Sequence, residues 1–281
     1  MDNRPKLIVL PLQPDVDQEY NGIGLGIHFL LGNMIAIHPG LSECWFGWRV
    51  NKIFKAVSAL KAFCRGKENI DVKLLAKEQK IRFWLFGRYR QKQDMILVAL
   101  KLYDADLEKN YDIDLQLDRS DFFVDFGHCF FKWLAFCNLP LDHNQMAKAL
   151  WKENISIKGL EYLGYAVKTT YLNYIDSSLF KDGLFDLEWF EKAVMESPKS
   201  YLTQNLKGWA FYKNKAYGKA KDYFKKALGK NADGLGALSG MIWCYVYEKN
   251  KTKALAFSIA KADVKNESHD TAIKFIEKKF E

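Results

Sequence analysis

The chain has 281 residues, 49% of them hydrophobic and 15% aromatic, and a formal net charge of +8. That length suits two domains, each able to bury its own core without metal or disulfide help. No stretch of about 18 apolar residues occurs, which excludes a membrane-spanning helix, and the opening apolar run is too short for a signal peptide.

Five scattered cysteines, odd in number and mostly inside apolar runs, read as reduced core thiols. A soluble, cytoplasmic protein is expected. Lys6–Pro11 is a β-branched run ended by proline and predicts a buried strand. Ile23, Ile27, Leu30, Leu31 and Met34 fall at helical spacing and predict a helix. A short strand around Cys44–Trp48 follows, then helices at 51–64 and 71–79. The period then switches to two. Ile81, Phe83 and Leu85 alternate with Arg82, Trp84 and Phe86, and a second alternating run covers Ile96 to Leu102, with Gln91–Asp94 as the turn. Tyr111–Leu117 is a third strand whose aspartates mark a solvated face. Ser120 and Asp121 supply a cap for the next helix.

These residues resemble the amino-terminal domain of TolB and its relatives. The opening LIVLPLQPDVDQEYNGIGL matches that family's strand, proline, polar loop and helix start, with Pro11, Tyr20, Gly24 and Leu25 in place. Gly87, Asp104 and Ala105 hold the matching positions in the later meander, and the resemblance covers about residues 5–138. Ile23 stands where the family usually carries an acidic residue, and 49–70 is lengthened. The elements read from the residues run in the order βαβαα-βββ-α, a mixed α/β domain over 1–140, and the resemblance implies the same kind of domain. It also implies a bacterial protein of a kind that often joins this domain to helical repeats.

Residues 141–281 predict helices alone, giving an α+β chain with an all-α carboxyl-terminal half. A 34-residue pattern sets Trp209, Ala220 and Ala227 in register with Trp243, Ala254 and Lys261. The stretch LKGWAFYKNKAYGKAKDYFKKAL resembles the tetratricopeptide (TPR) motif through Gly208, Phe211, Tyr217, Ala220, Phe224 and Ala227. Gly208 and Ala220 would let paired helices approach closely, and Phe211, Phe224 and Leu228 would fill the space between repeats. Three repeats are expected, at about 167–200, 201–234 and 235–268, with 269–281 as a capping helix. Lys207, Ser258 and Asp186 depart from the motif.

Such arrays are cupped, and their first helices line the concave side. The period places Lys168, Tyr171 and Ile175 there from the first repeat. The second contributes Asn205, Trp209, Tyr212 and Lys213, and the third Ser239, Trp243 and Tyr247. Trp209 and Trp243 are the expected hot spots, with burial against the 140–165 helices as the competing fate. The partner is expected to be a protein or peptide, acidic in view of the surplus lysines.

No catalytic group, cofactor or metal is expected. Gly22, Gly24 and Gly26 follow a strand, but their spacing fits neither the dinucleotide nor the P-loop fingerprint, which leaves close packing as their role. The five histidines form no metal-binding pair. Asp104/Asp106 and Asp112/Asp114 read as solvated carboxylates. Two alternatives to an adaptor stand beside it. One is a small-molecule sensor using the α/β domain. The other is nucleic-acid binding by the 82–92 hairpin, where Arg82, Arg88, Arg90 and Lys92 accompany Trp84, Phe86 and Tyr89. All seven arginines lie at or before Arg119, which argues against nucleic-acid recognition by the helical half.

Overall fold

A computed structural model describes the chain apart from residues 1–2, 17–18, 94, 118–123, 152 and 180–184. It is α+β, with one mixed sheet. Strand β1 (Lys6–Val9) is apolar and fully buried after Lys6, and a two-residue strand β2 (Gln13–Pro14) follows it. Helix α1 (Ile23–Ala36) is buried along almost its whole length. Next come β3 (Glu43–Trp45), a 3-10 turn (Gly47–Lys52), and helices α2 (Val57–Cys64) and α3 (Val72–Gln79). The helix expected from 51 therefore begins six residues later, with Ala56 extended before it. Phe54 still reaches the core, its ring 4.9 Å from that of Phe63.

The meander is longer than its alternation suggested. Strands β4 (Phe83–Lys92), β5 (Met95–Asp104) and β6 (Lys109–Leu117) pair antiparallel, while β3, β1 and β4 run parallel, in the order β3-β1-β4-β5-β6. Lys92 pairs with Met95, so the turn is tighter than Gln91–Asp94, and Asp94 lies outside the described residues. Ser120 and Asp121 also lie outside them; helix α4 is described from Val124 to Phe136.

On β6 the aspartates 112 and 114 face solvent as the period requires. Asp104 does not: it is fully buried and accepts two hydrogen bonds of 2.9 Å from the Arg82 guanidinium. Burial opposes its charge, but Arg82 and the Asp106 backbone N–H outweigh this and hold its pKa below the ordinary aspartate value. Its stabilisation is thus complete above the ordinary aspartate range and disappears as pH falls through the lowered, folded pKa. Asp104→Asn should lower stability by about 2–3 kcal/mol at neutral pH. In urea unfolding, the gap from wild type should narrow on acidification; a gap that widened would contradict the assignment.

The helical half opens with α5 (His143–Ala149), which Asp142 and Gln145 start with a reciprocal capping box. Helix α6 (Ile157–Ile175) is capped by Ser156. It crosses α1 at glycines: a Cβ on Gly164 would meet the Gly22 carbonyl oxygen, and one on Gly22 would lie 2.7 Å from the Glu161 carbonyl. Gly26 likewise faces the backbone of Leu160. The Gly22, Gly24, Gly26 series is therefore spent on packing. The two halves share one continuous apolar core across this crossing.

Helices α7 (Glu188–Glu196), α8 (Tyr201–Lys213), α9 (Tyr217–Leu228), α10 (Leu235–Tyr247), α11 (Lys251–Val264) and α12 (His269–Phe280) form antiparallel hairpins. Their starts recur at 34 residues, Tyr201 to Leu235 to His269 and Tyr217 to Lys251. Lys215 and Lys249, one period apart, both adopt left-handed backbone at the hairpin turns, with φ of 59° and 57°. A buried Glu153 fastens the start of α8, accepting from the Leu202 backbone N–H at 3.3 Å and from Trp151 Nε1 at 2.9 Å. Lys207, a departure from the motif, is buried along its stem while its ammonium lies 3.8 Å from Glu191 and 4.9 Å from the Tyr223 ring centre. Among the described residues no helix is long and apolar enough to cross a membrane.

Candidate functional site

Helices α8 and α10 lie side by side with their inner faces toward α1 and β3. Between them is a cleft of about 400 Å³. One wall carries Asn205, Trp209, Gly236, Ser239 and Trp243; the other carries Phe29, Asn33, Cys44 and Phe46, with Arg49, Lys261, Lys265 and Glu267 around them. The concave side expected of the helical half is thus roofed in part by the α/β half, because α1 packs against α6 and α10.

Both indoles are half-buried. Trp209 is braced by Phe224 and Tyr212, whose ring centres lie 5.4 and 5.3 Å away, and Trp243 by Phe275 at 6.0 Å. Asn205 is almost wholly buried, and its Oδ1 has no hydrogen-bond partner among the described residues. Gly236 makes room for it, since a Cβ there would lie 2.6 Å from Asn205 Nδ2.

The other expected binding residues are placed elsewhere. Tyr171 is buried and hydrogen-bonds to His28 Nε2, which also accepts from the Gly47 backbone N–H at 3.3 Å. Burial presses the His28 pKa down to about 3, so the ring is neutral at ordinary pH. The assignment of Tyr171 to an open surface is corrected: α6 turns that face onto α1. Lys168 sits over Tyr20, 5.1 Å from the ring centre, and points toward α2. Ile175 is half-buried at the end of α6, away from the cleft.

Tyr212 and Tyr247 lie one helical turn beyond Trp209 and Trp243. They gather with Tyr217 in an outer cluster, the Tyr217 and Tyr247 rings stacked at 4.9 Å. Lys213 is exposed, its ammonium 4.4 Å from the Tyr174 ring centre. Of the expected residues, the cleft brings together Asn205, Trp209, Ser239 and Trp243 and leaves the rest outside.

The cationic members escaped the sequence reading because they come from other elements. Arg49 lies 3.6 Å from Glu43, and Glu267 is shared by Arg4 at 3.0 Å and Lys265 at 2.9 Å. Lys265 also donates to the Ser42 carbonyl at 3.4 Å, tying α11 to the α/β half. The pKa of Lys261 is held below the ordinary lysine value by burial, and Lys265 and Arg49 press it further against the opposing pull of Glu267. Only the alignment of Lys261 with Ala227 hinted at it, as a charge where the period has a small residue.

The nucleic-acid hairpin is built differently from its sequence expectation. Trp84 and Tyr89 are buried; Trp84 Nε1 donates to the Ile81 carbonyl at 2.9 Å and the Tyr89 hydroxyl to Asn21 Oδ1 at 2.9 Å. Arg82 is held by Asp104 and Asp106, and Arg90 lies 2.6 Å from Asp15. Two of the three rings meant for stacking are therefore core, and Phe86 is half-buried. Cys64, Cys137 and Cys244 are buried as expected of core thiols, whereas Cys129 is exposed. Among the described residues no group of three or more His, Cys, Asp or Glu side chains is placed to hold a metal.

No protein-family model matches the chain, and no curated protein matches it. Among solved structures it is similar to the crystal structure of TolB from Acinetobacter baumannii, with 17% identity and a TM-score of 0.32 over 50% of this chain and 30% of that one. The matched part is less than a third of the TolB chain.

Proposed function

We propose that this chain is a non-enzymatic adaptor that captures an acidic segment of another protein in the cleft between its halves. What supports the reading most is that Asn205 and Trp209 of α8 join Ser239 and Trp243 of α10 along one wall. Large rings that are half-buried, held by neighbouring rings and set in a cleft wall anchor a ligand at small entropic cost. In this reading α6–α12 are a short tetratricopeptide-like array, and the TolB-like α/β half closes one side of its groove in a cytoplasmic bacterial protein. The closure favours a short segment over a long helix.

Trp209→Ala and Trp243→Ala should each weaken partner binding by about 2 kcal/mol or more. The check is pull-down with the wild-type and double-variant proteins, followed by titration of the captured partner. Undiminished binding by a folded double variant would remove the cleft from the function.

One observation also favours a sensor: α1 and β3 supply half of the cleft, so a small molecule lodged there would touch both halves. A thermal-shift screen with nucleotides and metabolites separates the two readings, since an occupied sensor melts higher.

A further inference from the structure

The charges around the cleft do not balance. Arg49 is matched by Glu43, and Arg4 and Lys265 share Glu267. Lys261 lines the same cleft with no carboxylate within ion-pair distance among the described residues. An ammonium partly withdrawn from water and left unmatched favours an incoming anion. Glu43 and Glu267 supply two negative charges against the four positive ones of Arg4, Arg49, Lys261 and Lys265, so the rim of the cleft keeps a positive excess that an incoming anion would reduce.

The rest of the lining indicates what carries that charge. Asn205, buried and short of a partner at Oδ1, is suited to a peptide group, whose N–H or C=O meets either orientation of the amide. Trp209 and Trp243 offer apolar area to an adjoining side chain. Resting on the adaptor reading, we propose that Lys261 receives a single carboxylate of the bound segment, supplied by an acidic side chain or by a chain terminus.

Three acetylated peptides with a leucine test this on the full-length protein: one with a free terminal carboxylate, one amidated with a glutamate beside the leucine, and one amidated and uncharged. Binding is read from the indole N–H resonances of Trp209 and Trp243, with inorganic phosphate as the control for a simple anion that carries no peptide group. At least one carboxylate peptide should bind about tenfold or more tightly than the uncharged one. Which one does so identifies the source of the carboxylate. Lys261→Met should abolish that preference with no fall in melting temperature, since it keeps the apolar stem.

Equal binding of charged and uncharged peptides, an unchanged preference in Lys261→Met, or stronger competition by phosphate than by carboxylate would overturn the site. So would a lack of binding by all three peptides at millimolar concentration. The adaptor reading is scored separately, by partner capture in the Trp209 and Trp243 variants.

Discussion

Truncating Phe224 to alanine should cost the fold roughly 3–5 kcal/mol, the range for emptying a fully buried aromatic site. Phe224 is completely covered, and three neighbours fix the volume around it. A Cβ on Gly208 of α8 would lie 2.7 Å from its ring, and one on Gly240 of α10 would also meet that ring. Helix backbones on two sides are thus already as near as glycine permits, and they can close the vacated space only by tilting. The ring also braces Trp209 from behind, so the void would open directly beneath the cleft wall. Urea unfolding with the midpoint and slope fitted together measures the loss; a cost under about 1 kcal/mol would mean that the hairpins are not packed as described.

Gly164→Ala should be nearly as damaging for the opposite reason. The added methyl would overlap the Gly22 carbonyl oxygen and lie 3.0 Å from the Gly26 nitrogen. Both are backbone atoms, and the same carbonyl accepts the Leu25 and Gly26 N–H groups at 3.0 and 3.1 Å. No flexible side chain can give way, so α6 and α1 must separate. Overpacking of this kind costs about 1–3 kcal/mol and sometimes more, and the upper end is expected here. Because α1 carries Phe29 and Asn33 into the cleft, the variant should also weaken partner binding. Thermal unfolding followed by circular dichroism tests the first effect; a wild-type melting temperature would show that the crossing is looser than its glycines indicate.

The strands and helices were legible wherever one period governed a long run. Lys6–Pro11, the alternation through β4 and β5, and the starts of α8 and α10 followed from residue types alone. The start of α2 did not, because apolar residues such as Phe54 can reach the core from a loop as readily as from a helix. Asp104 looked like a solvated turn residue, since spacing could not show Arg82 meeting it across the strand pair. In the cleft, the period aligned Trp209 with Trp243 but carried no information about which wall would face them. That wall comes from α1 and β3, more than 150 residues earlier, and with it come Arg49 and the pairing that leaves Lys261 unmatched. Tyr171 was misplaced for the same reason: its phase was helical, but the surface it faced was already occupied by His28.

The most direct measurement is site-specific photo-crosslinking to the partner, with a photoreactive residue at Ser239 on the cleft wall and, separately, at the exposed Lys226 on α9. The account predicts a covalent adduct from position 239 and none from position 226. An adduct from position 226 alone would place the partner on the outer surface and contradict the cleft.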